Sequence, residues 1–287
     1  MSDASFSRIA ILGTGLIGGS FGLALRNQGV EGRIIGWDRD DPLRAAFERG
    51  AVDEMAIDLE EALRGADLIY LALPIGATID LLPTIAAKAD PDALVTDACS
   101  TKSTIHKVAG NYFQKGARFL GGHPMAGKEV SGIEHADAAI FRGARYAFIA
   151  AEDDPDPRVE RFATLARRIG SEVLWCDAET HDWAVGIVSH LPQLVSVALA
   201  RMVLDETDET GLPITLAGHG LRDLLRIAGS PYEVWRDVCL TNTENIAKSI
   251  DRLLQVLDHL RTILKNRELE DEFHSANELY KILREMK

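Results

Sequence analysis

The sequence holds little that would staple or anchor it. Its 287 residues include three cysteines, Cys99, Cys176 and Cys239. They are far apart, odd in number and form no CxxC pair, which argues against a disulfide framework or a zinc site and fits a reducing, cytoplasmic compartment. Cations are also scarce: 31 Lys and Arg face 44 Asp and Glu, for a formal net charge of -13. That balance opposes non-specific binding to nucleic acid or to an anionic membrane. No uninterrupted apolar run approaches the roughly 18 residues of a membrane span, so none is expected. The opening MSDASFSRIAILG lacks the cationic stretch and long apolar segment of a secretory signal. What remains is an ordinary globular composition, 46% hydrophobic and 26% charged. At roughly 150 residues per domain, two domains are expected.

Short β-rich apolar runs alternate with helical patterns in the first part of the chain. Residues 8–12, 33–37, 68–73, 94–96, 119–121, 146–150 and 172–176 read as strands. Several are apolar nearly throughout, as strands covered on both faces must be. The alternation predicts an α/β fold with a doubly wound, mostly parallel nucleotide-binding sheet. From Ala178 onward strand runs cease, and an all-helical second domain is expected. The division predicted is residues 1–177 for dinucleotide binding and 178–287 for substrate and dimerisation. Helical patterns cover about 182–204 and 232–265, with a turn-like stretch at 205–213 and a charged segment at 268–286. Ile250, Leu253, Leu254, Leu257 and Leu260 form one apolar stripe, the signature of a core or helix–helix contact.

The first strand runs into Gly13-Thr14-Gly15-Leu16-Ile17-Gly18 and then a helical pattern. In this GxGxxG spacing the first glycine permits a tight turn. The second lets backbone approach a pyrophosphate, and the third lets the helix pack close to the strand. Leu16 and Ile17 fall at the helix start, where backbone N–H groups face the anion. The second strand leads to Asp38, 25 residues after Gly13 (38 − 13). An acid there accepts ribose hydroxyls and repels a 2′-phosphate, so NAD is favoured over NADP, a preference the adjacent Arg39 can soften. Leu71-Ala72-Leu73-Pro74 ends the third of these strands at the expected cofactor edge. The cluster at 96–102, TDACSTK, ends another strand with several polar groups and reads as ligand-facing. Cys99, within it, reads as a buried small hydrophobe.

Three later segments carry chemistry. His123 lies in GGHPMAGKE, read as a Gly/Pro-shaped turn, where an imidazole of ordinary pKa can take a hydroxyl proton or simply fix the turn. His190 lies in SHLPQ, where Pro192 interrupts a helical pattern and bends it, which can expose polar groups to a cleft; His190 by itself reads equally as a satisfied core histidine or as a ligand contact. Arg222 and Arg226, in RDLLRIA, are four apart and share a helix face. In so acidic a chain they suit a carboxylate ligand, unless acidic neighbours neutralise them.

In this order, the nucleotide fingerprint, DxxSxK, HPMAGxE, SHLP and RDxxRIA with a downstream Trp resemble the prephenate/arogenate dehydrogenase family, over most of the chain from Ile9 to Trp235. The resemblance implies NAD-dependent oxidative decarboxylation of a small carboxylate substrate on the route to tyrosine, by a homodimer. It implies that His123 is the catalytic base and that Ser100 helps hold the substrate hydroxyl. It implies that Arg226 binds a carboxylate, and that His190, Glu129, Asp223 and Trp235 line the substrate site or its entrance.

There are departures from the family pattern. Many members that use prephenate read SHLPH, whereas Gln193 stands here at the last position, a neutral amide for a group that can be cationic. His219 interrupts the glycine-rich approach to RDxxRIA, and Lys128 stands where the family varies. These bear on prephenate against arogenate, not on reaction type. A β-hydroxyacid dehydrogenase is a rival, but its helical-half lysine motif is missing, with Lys248 the nearest candidate. A non-catalytic NAD sensor would need none of Ser100, His123 and Arg226.

Overall fold

A computed structural model describes residues 6–285. Residues 1–5 and 286–287, the outermost parts of the N-terminal and closing charged segments, lie outside the described residues. The chain begins with β1 (Arg8–Leu12), α1 (Leu16–Asn27), β2 (Arg33–Trp37), α2 (Asp40–Glu48), β3 (Glu54–Met55) and α3 (Leu59–Leu63). It continues with β4 (Leu68–Leu71), α4 (Ile75–Lys88), β5 (Leu94–Asp97), α5 (Ser103–Tyr112) and β6 (Arg118–Pro124). Two 3-10 turns, Ile133–His135 and Ala138–Phe141, precede β7 (Arg145–Ile149), α6 (Pro157–Arg168) and β8 (Glu172–Cys176).

One sheet runs in the order β3-β2-β1-β4-β5-β6-β7-β8. It is parallel except where β6 meets β7. The expected strands are all present, with ends displaced by up to three residues. β3 was not expected: two residues paired to β2 at the sheet edge carry no apolar pattern to read. The chain leaves β1 in one direction to β2 and β3, then returns to β4 on β1's other side. That reversal opens a crevice at the carboxyl ends of β1 and β4, the place where doubly wound sheets bind ligands.

Each face of the sheet has its own core. One gathers aromatic side chains from α1, α6 and the strands. Phe21 stacks on Tyr70 with ring centroids 3.9 Å apart, and Phe148 stacks on Phe162 at 5.3 Å. Such pairs add about 0.5–1.5 kcal/mol each beyond the area they bury. The other face is aliphatic, with Leu63, Ile69, Leu82, Ile85 and Ile105 all buried. The local signals for α6 are plain: Asp156 caps it by accepting from the Arg158 N–H, and Pro157 stands in its first turn. Arg167 and Arg168 close it, where cations suit the helix dipole.

Beyond Cys176 every element is helical: α7 (Ala178–Val185), a π turn at Gly186–His190, α8 (Leu191–Asp205), α9 (Leu212–Thr215) and α10 (His219–Leu225). A 3-10 turn at Arg226–Gly229 leads to α11 (Tyr232–Thr241), α12 (Thr243–Ile263) and α13 (Leu269–Glu285). The helix expected at 182–204 starts earlier, at Ala178, where Asp177 caps it through the Thr180 N–H. Instead of a bend at Pro192 there is the π turn. Proline has no N–H to return to the preceding turn, and the ladder slips so that Leu191 N–H reaches the Gly186 carbonyl. The single helix expected at 232–265 breaks at Asn242, which is needed elsewhere, as described below.

The run Ala178–Asp205 is long and apolar enough, by length and composition, to cross a membrane. It is not an uninterrupted apolar stretch, because His181, Asp182, His190 and Gln193 punctuate it. All four are buried within the protein.

Candidate active site

At the crevice, Gly13 has φ +91° and a side chain on it would lie 2.4 Å from the Ala72 carbonyl oxygen. A Cβ on Gly18 would lie 1.9 Å from the Gly13 carbonyl oxygen. Both positions therefore require glycine, and together they press the start of α1 against the strand ends. Gly15 precedes α1 and faces open space, with no acidic residue in the first helical turn. Leu16 and Ile17, half-buried, begin the helix, so its free N–H groups point where an anion can sit.

Asp38 closes this edge from β2. Its Oδ2 accepts from the Thr14 N–H at 2.7 Å and the Thr14 hydroxyl at 3.2 Å, and its Oδ1 accepts from the Arg39 N–H at 2.7 Å. The acid thus holds the glycine loop as well as facing the crevice. Arg39 is exposed beside it, and Leu73 and Pro74 border the opposite wall, with Pro74 at the head of α4. A tight glycine turn, an uncapped helix start and a carboxylate at the second strand fit a dinucleotide.

His123 does not lie in a turn. It is the penultimate residue of β6, paired with Ala147 of β7, because the antiparallel partner extends that strand through Pro124. It is 8% exposed. Its Nδ1 lies 2.9 Å from Nε2 of His181, whose Nδ1 lies 2.8 Å from Oδ1 of Asp182. Asp182 also accepts from the N–H groups of Lys102 at 2.7 Å and Ser103 at 2.8 Å, at the start of α5. Burial raises its pKa, but hydrogen bonds from the His181 ring and from the Ser103 and Lys102 backbone outweigh that and keep the carboxyl below its usual range. For His123, burial first, then His181, Lys102 and His190, hold the imidazole well below its ordinary pKa. The ring is therefore neutral at physiological pH.

The polar cluster at 96–102 is not ligand-facing as expected. Asp97 and Lys102 are buried and ion-paired to each other. Lys102 Nζ also donates to the Gly122 carbonyl at 2.6 Å, while Asp97 accepts from the N–H groups of Gly122 at 3.1 Å and Cys99 at 3.0 Å. The pair braces the end of β5 against β6 one residue from His123. Ser100 is half-buried, and its hydroxyl, like the buried one of Thr96, has no protein partner among the described residues. Cys99 is buried as expected, its thiol pushed up to about 12 by burial.

His190 ends the π turn, where its ring meets the Trp235 ring edge-on at 6.0 Å. Asn242 donates to the Asp182 carbonyl at 2.7 Å, so its amide nitrogen also faces His190 Nδ1, at 3.1 Å. His190 Nδ1 is therefore an acceptor, and Nε2 carries a proton with no partner although it is buried. Gln193, one turn further on, is buried, and its amide has no protein partner among the described residues.

Arg226 stands at the end of α10, exposed, and forms an ion pair with Glu129 of the segment after β6. The neutralisation weighed from sequence is thus real, and its partner comes from the other half of the chain. Asp223 is exposed on α10 one turn before Arg226, His219 begins that helix, and Lys128 donates to the His135 carbonyl. Further ties join the halves: Asp237 accepts from the Gly76 N–H at 2.9 Å, and the hydroxyls of Thr101 and Thr241 are 2.7 Å apart. His181, Asp182, Asn242 and Asp237 escaped the sequence reading. The one available signal was a His-Asp pair adjacent in an apolar helix.

The family model described as "Prephenate dehydrogenase, nucleotide-binding domain" matches residues 21–175, and "Prephenate dehydrogenase, dimerization domain" matches residues 177–285. Prephenate dehydrogenase of Lactococcus lactis is 34% identical over 281 residues, 97% of this chain and 77% of that protein. The crystal structure of Aquifex aeolicus prephenate dehydrogenase with hydroxyphenyl propionate and NAD+ is similar with a TM-score of 0.87 and 30% identity, covering 98% of each chain. Synechocystis arogenate dehydrogenase is similar with a TM-score of 0.77 and 33% identity, covering 97% of this chain and 99% of that one. With a glycine cradle, a buried imidazole line and both halves of the family in sequence, this chain belongs to the prephenate dehydrogenase family.

Proposed function

We propose that this chain oxidatively decarboxylates prephenate to 4-hydroxyphenylpyruvate with NAD, as a cytoplasmic homodimer, and that residues 1–177 bind the dinucleotide while 178–287 complete the substrate site and dimerise. The observation that carries the reading is a neutral, buried His123 whose Nδ1 is taken by His181, which leaves Nε2 for a substrate hydroxyl. NAD, when bound, supplies the acceptor for a hydride from the ring carbon that bears that hydroxyl. His123 takes the hydroxyl proton, with the unpartnered Ser100 hydroxyl to steady the same oxygen. Loss of the ring carboxylate as carbon dioxide makes the ring aromatic, which drives the reaction.

Arg226 orients a carboxylate of the substrate and releases Glu129 to do so. It must hold the leaving carboxylate without gripping its charge so tightly that decarboxylation stalls. Asp38 accepts the adenosine ribose, with Gly13, Gly15, Leu16, Ile17 and Gly18 at the pyrophosphate and Leu73 and Pro74 on the far wall. His190, Gln193, Asp223 and Trp235 border the substrate.

Arogenate, giving tyrosine directly, is the second reading, and Gln193 favours it. The two side chains share a carboxylate and differ in keto against ammonium, and the buried neutral amide in SHLPQ tolerates an ammonium that a cationic group there would repel. Steady-state assays with each substrate and with NAD and NADP decide between them. His123→Asn is expected to cut kcat by about a hundredfold or more with little change in NAD affinity. Unaltered turnover in that variant removes His123 from the chemistry.

A further inference from the structure

We propose that His181 is a positioning residue which both sets the tautomer of His123 and receives the reaction's proton from it, so that the cation of the reaction forms in contact with Asp182. The proposal rests on the role given to His123 above. The Asp182 carboxylate is surrounded by donors: the Lys102 N–H and His181 Nδ1 on one oxygen, the Ser103 N–H on the other. An ionised carboxylate only accepts, so His181 carries its proton on Nδ1. Its Nε2 is then a lone pair 2.9 Å from Nδ1 of His123, which must carry the hydrogen between them. The free lone pair of His123 is thereby placed on Nε2. One carboxylate, held by the first turn of α5, thus orders two rings in line.

The same line solves a difficulty. A buried imidazole resists charge, yet this one must accept a proton. The other ionisable groups around it are Lys102, already paired with Asp97, and His190, whose Nδ1 is taken by Asn242. Neither can take up a new cation. His181 is 4% exposed, so water does not take up the charge there either. In the step proposed, the substrate O–H bond breaks as N–H forms at His123 Nε2. The Nδ1–H bond of His123 breaks as N–H forms at His181 Nε2. The hydride leaves with its electron pair for the nicotinamide, and the pair of the broken carbon–carboxylate bond enters the ring. His181, now an imidazolium, lies 2.8 Å from Asp182, and the proton returns through His123 to the phenolate oxygen that decarboxylation leaves, which completes the ring hydroxyl of the product.

His181→Gln separates the two roles, because a carboxamide oxygen can accept from His123 Nδ1 but cannot take a proton. In single-turnover measurements of NADH formation, H181Q is expected to be slower by about tenfold or more, with substrate KM and NAD affinity within about twofold of wild type. In mixtures of light and heavy water, the wild-type rate is expected to bend with deuterium content, as two moving protons require, and the H181Q rate to follow a straight line. A straight wild-type line, or an H181Q rate equal to wild type, overturns the relay. Nitrogen-15 NMR of histidine-labelled, substrate-free protein reads the tautomers directly, and it decides the matter if H181Q fails to fold. Protons on Nδ1 of both His123 and His181 are expected, and a proton on Nε2 of either neutral ring overturns the proposal. Failure of the wild type to turn over prephenate or arogenate would sink the functional reading instead, while the tautomers remain measurable.

Discussion

Arg226 and Glu129 are paired across the chain, one from each half, with side chains 64% and 41% exposed. An exposed pair of this kind contributes only about 0–1 kcal/mol. A substrate carboxylate that meets the guanidinium in a drier setting can displace Glu129. Arg226→Ala is therefore expected to raise substrate KM by roughly an order of magnitude or more, the scale of a lost charge-assisted pair. Glu129→Gln should leave kcat within about twofold and lower KM modestly, since it removes only a competitor for the arginine. Steady-state kinetics of both variants checks this, and a collapse of kcat in E129Q would place Glu129 in the chemistry instead.

Asp97 and Lys102 present the opposite case, a fully buried pair. Removing one partner strands a charge in the core, which typically costs about 3–5 kcal/mol, whereas replacing both can be nearly neutral. Lys102→Met is expected to lower the urea unfolding midpoint sharply. Adding Asp97→Asn to it should recover much of the loss. Equal stability of K102M and wild type would show that the ammonium contributes nothing at this site.

Much of this was legible because it is local. The apolar strands, the GxGxxG turn and the end of β2 at Asp38 announce themselves through nearest-neighbour chemistry. His123 and Arg226 could be singled out by residue type and motif. What placed them is not local. His181 and Asp182 meet His123 and α5 only because the helical half folds back on the sheet, and Asn242 breaks a helix in order to reach the Asp182 carbonyl. The misreading of Asp97 and Lys102 has the same origin. A polar cluster at a strand end faces ligand or core depending on what packs over it, and here β6 does.

His190 makes the fold sensitive to acid. Burial, opposed by Asp182, pushes its pKa down to about 4, against about 6.5 for an unfolded chain. The unfolded state then binds the proton first as pH falls. The stabilisation from keeping the ring neutral is complete above about pH 6.5 and is lost as pH drops toward about 4, up to roughly 3 kcal/mol for this group. His123, also pushed down by burial, acts in the same direction. Urea midpoints at fixed protein concentration should fall between pH 7.5 and pH 5, and His190→Gln should flatten that slope. Equal wild-type midpoints at the two pH values would contradict the burial of a neutral ring.

The helical half leaves an apolar surface that a single protomer cannot cover. Leu254 and Leu257, two members of the stripe on α12, are 58% and 50% exposed. Leu204 of α8 and Phe273, Leu279 and Ile282 of α13 are also exposed, and α13 buries none of its described residues. An isolated 17-residue amphipathic helix is marginal in water, so packing must hold α13 in place. A second copy is expected to supply that packing with the same surface, as a two-fold contact requires, since the matching family domain is described as a dimerization domain. Light scattering is expected to give twice 31.4 kDa. The double variant Leu254→Asp, Leu257→Asp should run as a monomer and melt earlier, because the two carboxylates of each protomer would then be buried against those of its partner. A stable wild-type monomer would mean that the exposed stripe is tolerated by α12 and α13 without a partner, and that their helicity has some other source.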